Sequence, residues 1–289
     1  MNGVAQVSDD KAPIAIPSRR AAKRGPWRRL AVVGLLAAAL GSGGYAAWRA
    51  VREQVVASEQ YEVTIDSVTI TPPPAWVRSD VKAEVVRDAG LDGPLSILDE
   101  RLSQRLYEAF EAHPWVAKVE RVMKHPPNAV EVELAYRRPV LMVQVPDGLL
   151  PIDAEGVQLL TRDFSPLEAG RYPRLTEIEV ATGPPAGTRW SDPRVVAAAR
   201  LAAVLIDAWE ELGLHRMALA GEPAAASGNL FEFDLFTKGG TRVRWGAAPT
   251  AEETEQKIAA DKLARLKQYH ADRGDLEESR GPQEIDLRP

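Results

Sequence analysis

The first strong pattern in the chain is an uninterrupted apolar run. From Leu30 to Trp48, LAVVGLLAAALGSGGYAAW, 19 residues carry no charge. As a helix the run would extend about 28 Å, close to the ~30 Å hydrocarbon core of a bilayer. Leu30, Val33, Leu36, Leu40 and Trp48 are then membrane-spanning residues, with Tyr45 and Trp48 at the far interface and Trp27 at the near one. Gly41-Ser42-Gly43-Gly44 weakens the second half of this helix. A competing reading is a cleaved signal peptide with Leu30–Leu40 as its apolar core. The 29 residues ahead of the run are long for a signal and favour an uncleaved anchor. The GSGGYA string follows no strand, which argues against a dinucleotide loop.

Beyond the run, the periodicities alternate. Tyr61–Thr71 is rich in strand-forming residues, with Val63, Ile65, Val68 and Ile70 as its apolar set, and Pro72–Pro74 end it. A helix is expected from Ser79 as N-cap through Val81, Val85, Val86 and Leu91 to Gly90. A second spans about Asp99 to His113, with Leu98, Leu102, Leu106, Ala109 and Phe110 at helical spacing. Two strands follow, Trp115–Met123 and Val130–Tyr136, around a His125-Pro126-Pro127-Asn128 turn. This gives a β-α-α-β-β unit.

Further strands are expected at Val140–Val145, Leu150–Ile152, Val157–Leu160 and Tyr172–Val180. A long helix opens on Asp192 with Pro193 at its first position. Its inner face is Val195, Ala199, Ala202, Ile206, Trp209 and Leu212. After Met217–Gly221 comes a hairpin. A three-residue loop, Lys238–Gly240, pairs Leu235 with Val243, Phe233 with Trp245 and Asp234 with Arg244, and calls for a left-handed glycine. A last helix is expected from a Thr250-x-x-Glu253 capping box, with Ala259, Leu263 and Leu266 inward. Asp272–Arg280 reads as a loop and Glu284–Arg288 as a final strand. The fold class is α+β: an N-terminal transmembrane helix, the β-α-α-β-β domain, then a second mixed β domain with helices.

Charge sharpens the topology. Residues 1–48 carry seven cations against Asp9 and Asp10, a net +5, so the remainder of this −5 chain is −10. Cations before the apolar run place the N-terminus in the cytoplasm. Residues 1–29 read as a cytoplasmic, basic, disordered tail. An acidic body is a poor nucleic-acid binder. The absence of cysteine removes disulfides, thiolate metal sites and thiol nucleophiles.

In order, these segments resemble the FtsQ/DivIB family of bacterial cell-division proteins. His113-Pro114-Trp115-Val116 with Val119, Arg121, Val122 and Pro126 resembles the family's PWV…V.R..P stretch. Tyr136-Arg137-Arg138-Pro139-Val140 resembles ERRPVA, Ile152-Asp153-x-x-Gly156 resembles the lID..G turn, and Tyr172-Pro173-Arg174-Leu175 resembles LP.L. Trp245-Gly246, with Lys257 or Lys262 and Leu263 beyond, resembles lG……Kl..L. Ile285-Asp286-Leu287-Arg288 resembles the closing iDLR. Tyr136 stands where the family has Glu, and Thr71-Pro72-Pro73-Pro74 where it often has Gly. Relatives carry the last strand further than Pro289.

The resemblance implies a POTRA domain over 61–137 and a β domain over 138–289. It also implies a division scaffold in the inner membrane, enriched at the septum, rather than an enzyme. Its partners would be bitopic FtsB- and FtsL-like proteins, bound through the last strands. Trp245, Ile285, Asp286, Leu287 and Arg288 are the partner-binding candidates. No cofactor, metal, nucleic acid or small-molecule substrate is expected. The bland reading of Trp115 and Trp245 is core anchors, and of Arg137 and Arg138 solvated strand ends balancing Glu131 and Glu133. His113, His125, His215 and His270 lack metal-ligand spacing, and His113 and His125 suit capping or exposure. No GxSxG, P-loop or HExxH motif is present. Carboxylates are plentiful, and sequence alone singles out no catalytic pair of them. The alternative function is a POTRA-bearing scaffold for envelope assembly or protein export.

Overall fold

The computed structural model describes residues 27–56, 59–93, 95–180, 182–221, 231–274, 276 and 282–288. Residues 1–26 of the expected tail lie outside these. Two compact units divide the chain, 1–55 and 56–289. The first holds helix α1, Trp27–Val56. Its described apolar side chains Val33, Leu36, Leu40, Tyr45 and Trp48 are all exposed. Among the described residues no helix is long and apolar enough to cross a membrane. The side chain of Leu30, on which the expected span opens, lies outside the described ones.

The second unit is α+β and begins with β1 (Glu62–Val63), β2 (Val68–Ile70), α2 (Val81–Asp88), β3 (Leu95–Ser96), α3 (Leu102–Glu111), β4 (Val116–His125) and β5 (Ala129–Tyr136). Strands β2, β5 and β4 form one sheet, with β2 parallel and β4 antiparallel to β5. β1 and β3 make a separate antiparallel pair. Leu102, Leu106 and Phe110, one per turn of α3, bury against Val119, Val130 and Val132 of the sheet.

The expected Tyr61–Thr71 strand is broken. The Ser67 hydroxyl accepts from the Thr64 N–H and donates to the Thr64 carbonyl, folding 65–67 into a 3₁₀ turn. Such local side-chain bonds compete with the ladder. The N-cap of α2 is Asp80, not Ser79: its carboxylate accepts from Ala83 N at 3.0 Å. Helix α3 is shorter than expected, and the small strand β3 precedes it.

The chain continues as β6 (Pro139–Val145), β7 (Gly148–Asp153), α4 (Pro166–Ala169), β8 (Arg174–Leu175), α5 (Pro193–Leu205), β9 (Leu214–Leu219), β10 (Glu232–Thr237), β11 (Arg242–Ala247), α6 (Glu253–Arg273) and β12 (Glu284–Asp286). The strands form one sheet in the order β12-β11-β10-β9-β8-β6-β7. Val195, Ala199 and Ala202 of α5 and Ala259 and Leu266 of α6 join Phe233, Leu235, Val243 and Trp245 in a second core.

Several expectations change here. Within the expected Val157–Leu160 strand, only Val157 and Gln158 pair, each through an isolated bridge. The Tyr172–Val180 strand shrinks to two residues because Glu177 takes φ 59°, a left-handed turn that no strand continues through. The Asp192 cap and Pro193 are as read, but Trp209 and Leu212 are buried beyond the end of α5, and Ile206 is half-exposed. Helix α6 starts after Glu252. Thr250 Oγ1 accepts from Glu252 N rather than closing a box on Glu253. Leu263 is half-buried beside the inward Ala259 and Leu266, and α6 runs on to Arg273, into the expected loop.

Candidate functional site

The last three strands carry the residues expected at a partner site. The 238–240 loop, with Gly240 at φ 92°, pairs Leu235 with Val243 and Asp234 with Arg244 as expected. Phe233 faces Gly246 instead of Trp245, because the register slips by one residue at a bulge. Asp234 is buried, and its ion partner is the diagonal Arg242 at 2.5 Å.

The bulge leaves the Trp245 carbonyl without a place in the ladder, and Lys262 occupies it. Lys262 is buried on α6, one turn from Ala259 and from Leu266, and its Nζ donates to Trp245 O at 2.8 Å. The ammonium also lies 5.7 Å from the Trp245 ring centroid, within cation–π range. Burial pushes the lysine pKa down; Arg265 lowers it further, while Glu255, Glu232 and Asp286 oppose the shift. Gly246 turns at φ 82°, and a Cβ there would meet Arg288 Cγ at 2.9 Å. Arg288 in turn is held by Asp286 through Nε at 2.9 Å and Nη2 at 2.7 Å. These bonds, with the Arg288 N–H, hold the Asp286 carboxyl well below its usual range.

β12 lies parallel to β11 at the sheet edge, with Ile285 opposite Val243. Arg242 N donates to Gln283 O at 2.8 Å and Leu287 N to Arg244 O at 3.0 Å. Strand alternation then turns the peptide groups of Glu284 and Asp286 away from β11, toward a sheet edge on which no described strand pairs. Ile285 and Leu287 are buried, Asp286 is exposed and Arg288 half-exposed. Trp245 is fully buried, so it supports the edge from beneath and offers no surface of its own. The final strand is shorter than expected and ends at Asp286.

A second polar constellation seals the junction between the two cores. Leu159 is buried in the first core although it follows β7 of the second sheet. Four residues on, the buried Asp163 accepts from Trp115 Nε1 at 2.6 Å, Ser79 Oγ at 2.6 Å and Ser79 N at 3.3 Å. Arg137, read from sequence as a solvated strand end, is instead largely buried and bonds Asp153 at 2.7 Å. Asp153 also closes its own turn, accepting from Glu155 N and Val157 N. Glu131 and Glu133 pair with His125 and Arg121.

His113, expected at a cap or exposed, is buried. Its Nδ1 accepts from Trp115 N at 3.2 Å, which places the proton on Nε2 facing Glu84 at 3.2 Å. Arg162 reaches the same Glu84 oxygen at 2.5 Å. Burial lowers the His113 pKa, against the opposing pull of Glu84.

Spacing could have found Lys262, three residues after Ala259 and four before Leu266 on the buried stripe of α6. Nothing in the sequence marks Asp163, a lone acid in a connecting segment. Among the described residues, no group of three or more acidic or histidine side chains could hold a metal ion. No family model and no curated protein matches this chain.

Proposed function

We propose that this chain is a membrane-anchored scaffold of the FtsQ/DivIB type. In this reading Leu30–Trp48 crosses the bacterial inner membrane, 61–137 is a POTRA domain, and 138–289 a β domain outside the membrane that recruits other division proteins at the septum. The observation that carries the reading is the open edge of β12, whose outward peptide groups at Glu284 and Asp286 are free of the ladder to β11. An extended segment of a small bitopic, FtsB- or FtsL-like partner would add there by main-chain bonds. Arg244 and Arg288, paired with Asp286 beside it, would set its direction. The exposed apolar side chains of α1 support the tether.

Proline at both outward positions, Glu284→Pro with Asp286→Pro, removes outward donors while leaving the Ile285 pairing intact. Recruitment of bitopic partners from membranes, and midcell enrichment, should both be lost while thermal stability stays close to that of the parent. Full recruitment by this variant would refute the edge reading. It would move the interface elsewhere and favour the alternative, a scaffold for envelope assembly or export.

A further inference from the structure

A cleft of about 380 Å³ opens where the first core meets the seven-stranded sheet. Its walls hold three aromatic rings, Trp76, Phe164 and Tyr172, and three guanidinium groups, Arg78, Arg138 and Arg171. Pro139 and Ile206 complete the apolar side. The rings are fixed in place. Trp76 Nε1 donates to Arg137 O at 3.0 Å, and Phe164 meets Tyr172 edge-on with centroids 5.7 Å apart. All three are half-buried and line the cleft.

The charges in the walls are unevenly committed. Both oxygens of Asp163 are taken by Ser79 and Trp115. Glu168 accepts from Ser165 N and Oγ and pairs with Arg78. Arg138 pairs with the exposed Asp207 through one nitrogen. A guanidinium has five donors, so one such contact leaves most of them open. Arg171 is exposed and has no ion pair among the described residues. The carboxylates are therefore consumed internally, while the arginines present donors outward. Leu167, next to Glu168 in the chain, is 76% exposed.

An aromatic centre ringed by half-exposed arginines is the anatomy of a protein contact. The volume lies near the lower end of the ~300–1,000 Å³ range of small-molecule sites. We propose that this cleft docks a peptide segment of another protein, in which an aromatic side chain stacks on Phe164 and Tyr172 and an adjacent carboxylate is gripped by Arg138 and Arg171. This site is separate from the β12 edge and stands whether or not that edge recruits partners.

The probe is an acetylated, amidated Phe-Glu dipeptide, titrated calorimetrically into the full chain, with Phe-Gln as the control. Phe-Glu should bind saturably and at least tenfold more tightly than Phe-Gln. Arg138→Gln with Arg171→Gln, both at exposed positions, should abolish that preference. Lysine at the same two positions should restore it only in part, because an ammonium lacks the planar fork. The Glu284→Pro, Asp286→Pro chain should bind Phe-Glu as the parent does. Equal binding of the two peptides, no saturation at millimolar concentration, or a preference that survives the double glutamine variant would each overturn the proposal. Phenylacetate binding as tightly as Phe-Glu would make the cleft a small-anion site and overturn the peptide assignment.

Discussion

Replacing Asp163 tests whether one carboxylate holds the two cores together. In Asp163→Ala the indole N–H of Trp115, fully buried, loses its acceptor at 2.6 Å, and Ser79 loses bonds to its hydroxyl and its amide. A buried donor left unpaired costs about 1–3 kcal/mol. Ser79 is only half-buried and can turn to water, so its share is smaller, on the order of 1 kcal/mol. Removing a buried carboxylate recovers part of its desolvation cost. The net expectation, after that recovery, is a loss of about 1–3 kcal/mol. Asp163→Asn keeps the shape and an oxygen for Trp115 but turns an N–H₂ toward Ser79, and should lose about 1 kcal/mol. The assay is urea unfolding of the full chain followed by circular dichroism and by tryptophan fluorescence. In the parent the two probes should coincide, and in Asp163→Ala they should separate as the cores come apart. A shift below about 0.5 kcal/mol for alanine, or asparagine as damaging as alanine, would refute the reasoning.

Three further outcomes follow from contacts elsewhere in the fold. Lys262→Met keeps the buried stem but strands the Trp245 carbonyl, at a cost of about 1–2 kcal/mol. Hydrogen exchange at the Leu287 and Arg242 amides should accelerate with it, and unchanged exchange would show that Lys262 does not brace the edge. Gly246→Ala places a Cβ 2.9 Å from Arg288 Cγ at φ 82°, for a strain of about 1–2 kcal/mol that should lower Tm by several degrees. Gly90, at φ 60° with open space around it, should tolerate alanine better, and the reverse order in a thermal melt would contradict this. The native His113 pKa is below its unfolded value, so the unfolded chain takes up the proton first. Stability from this site is complete above pH ~6.5 and falls as pH drops through the window below it. Glu84, Asp88 and Arg162 are the charged groups that set this window. His113→Gln should flatten the slope of stability against pH just below about 6.5, and parallel slopes would exclude His113 as its source.

Local rules account for what the sequence revealed. Asp192 and Pro193 start a helix because cap chemistry is contained in three residues. The alternation of β5 and the Gly240 turn are equally local. What stayed hidden depends on distant partners or on a single residue's conformation. The Phe233–Trp245 pairing failed because a bulge at Gly246 is stabilised by Lys262, far along the chain on α6. Tyr172–Val180 reads as a strand by composition, and one left-handed residue, Glu177, overrides it. Arg137 reads as a surface cation because Asp153, which buries it, lies across a turn. Of the edge candidates, Ile285, Asp286, Leu287 and Arg288 sit where the alternation puts them. Trp245 stands in sequence both as a core anchor, the blander reading, and as a contact candidate, and its complete burial fits the anchor.

Leu159 has a consequence for modularity. It leaves the second sheet, fills the first core and leads to the Asp163 lock. A cut after Tyr136 would therefore remove a plug and a latch that the first lobe needs. The two lobes do not behave as interchangeable cassettes. A graft of the first lobe onto another protein would have to carry residues 157–164 with it, or present a gap in its core and an unpaired indole beneath that gap. Two regions that sequence divides cleanly are thus coupled through one short segment, and a substitution at their seam acts on both.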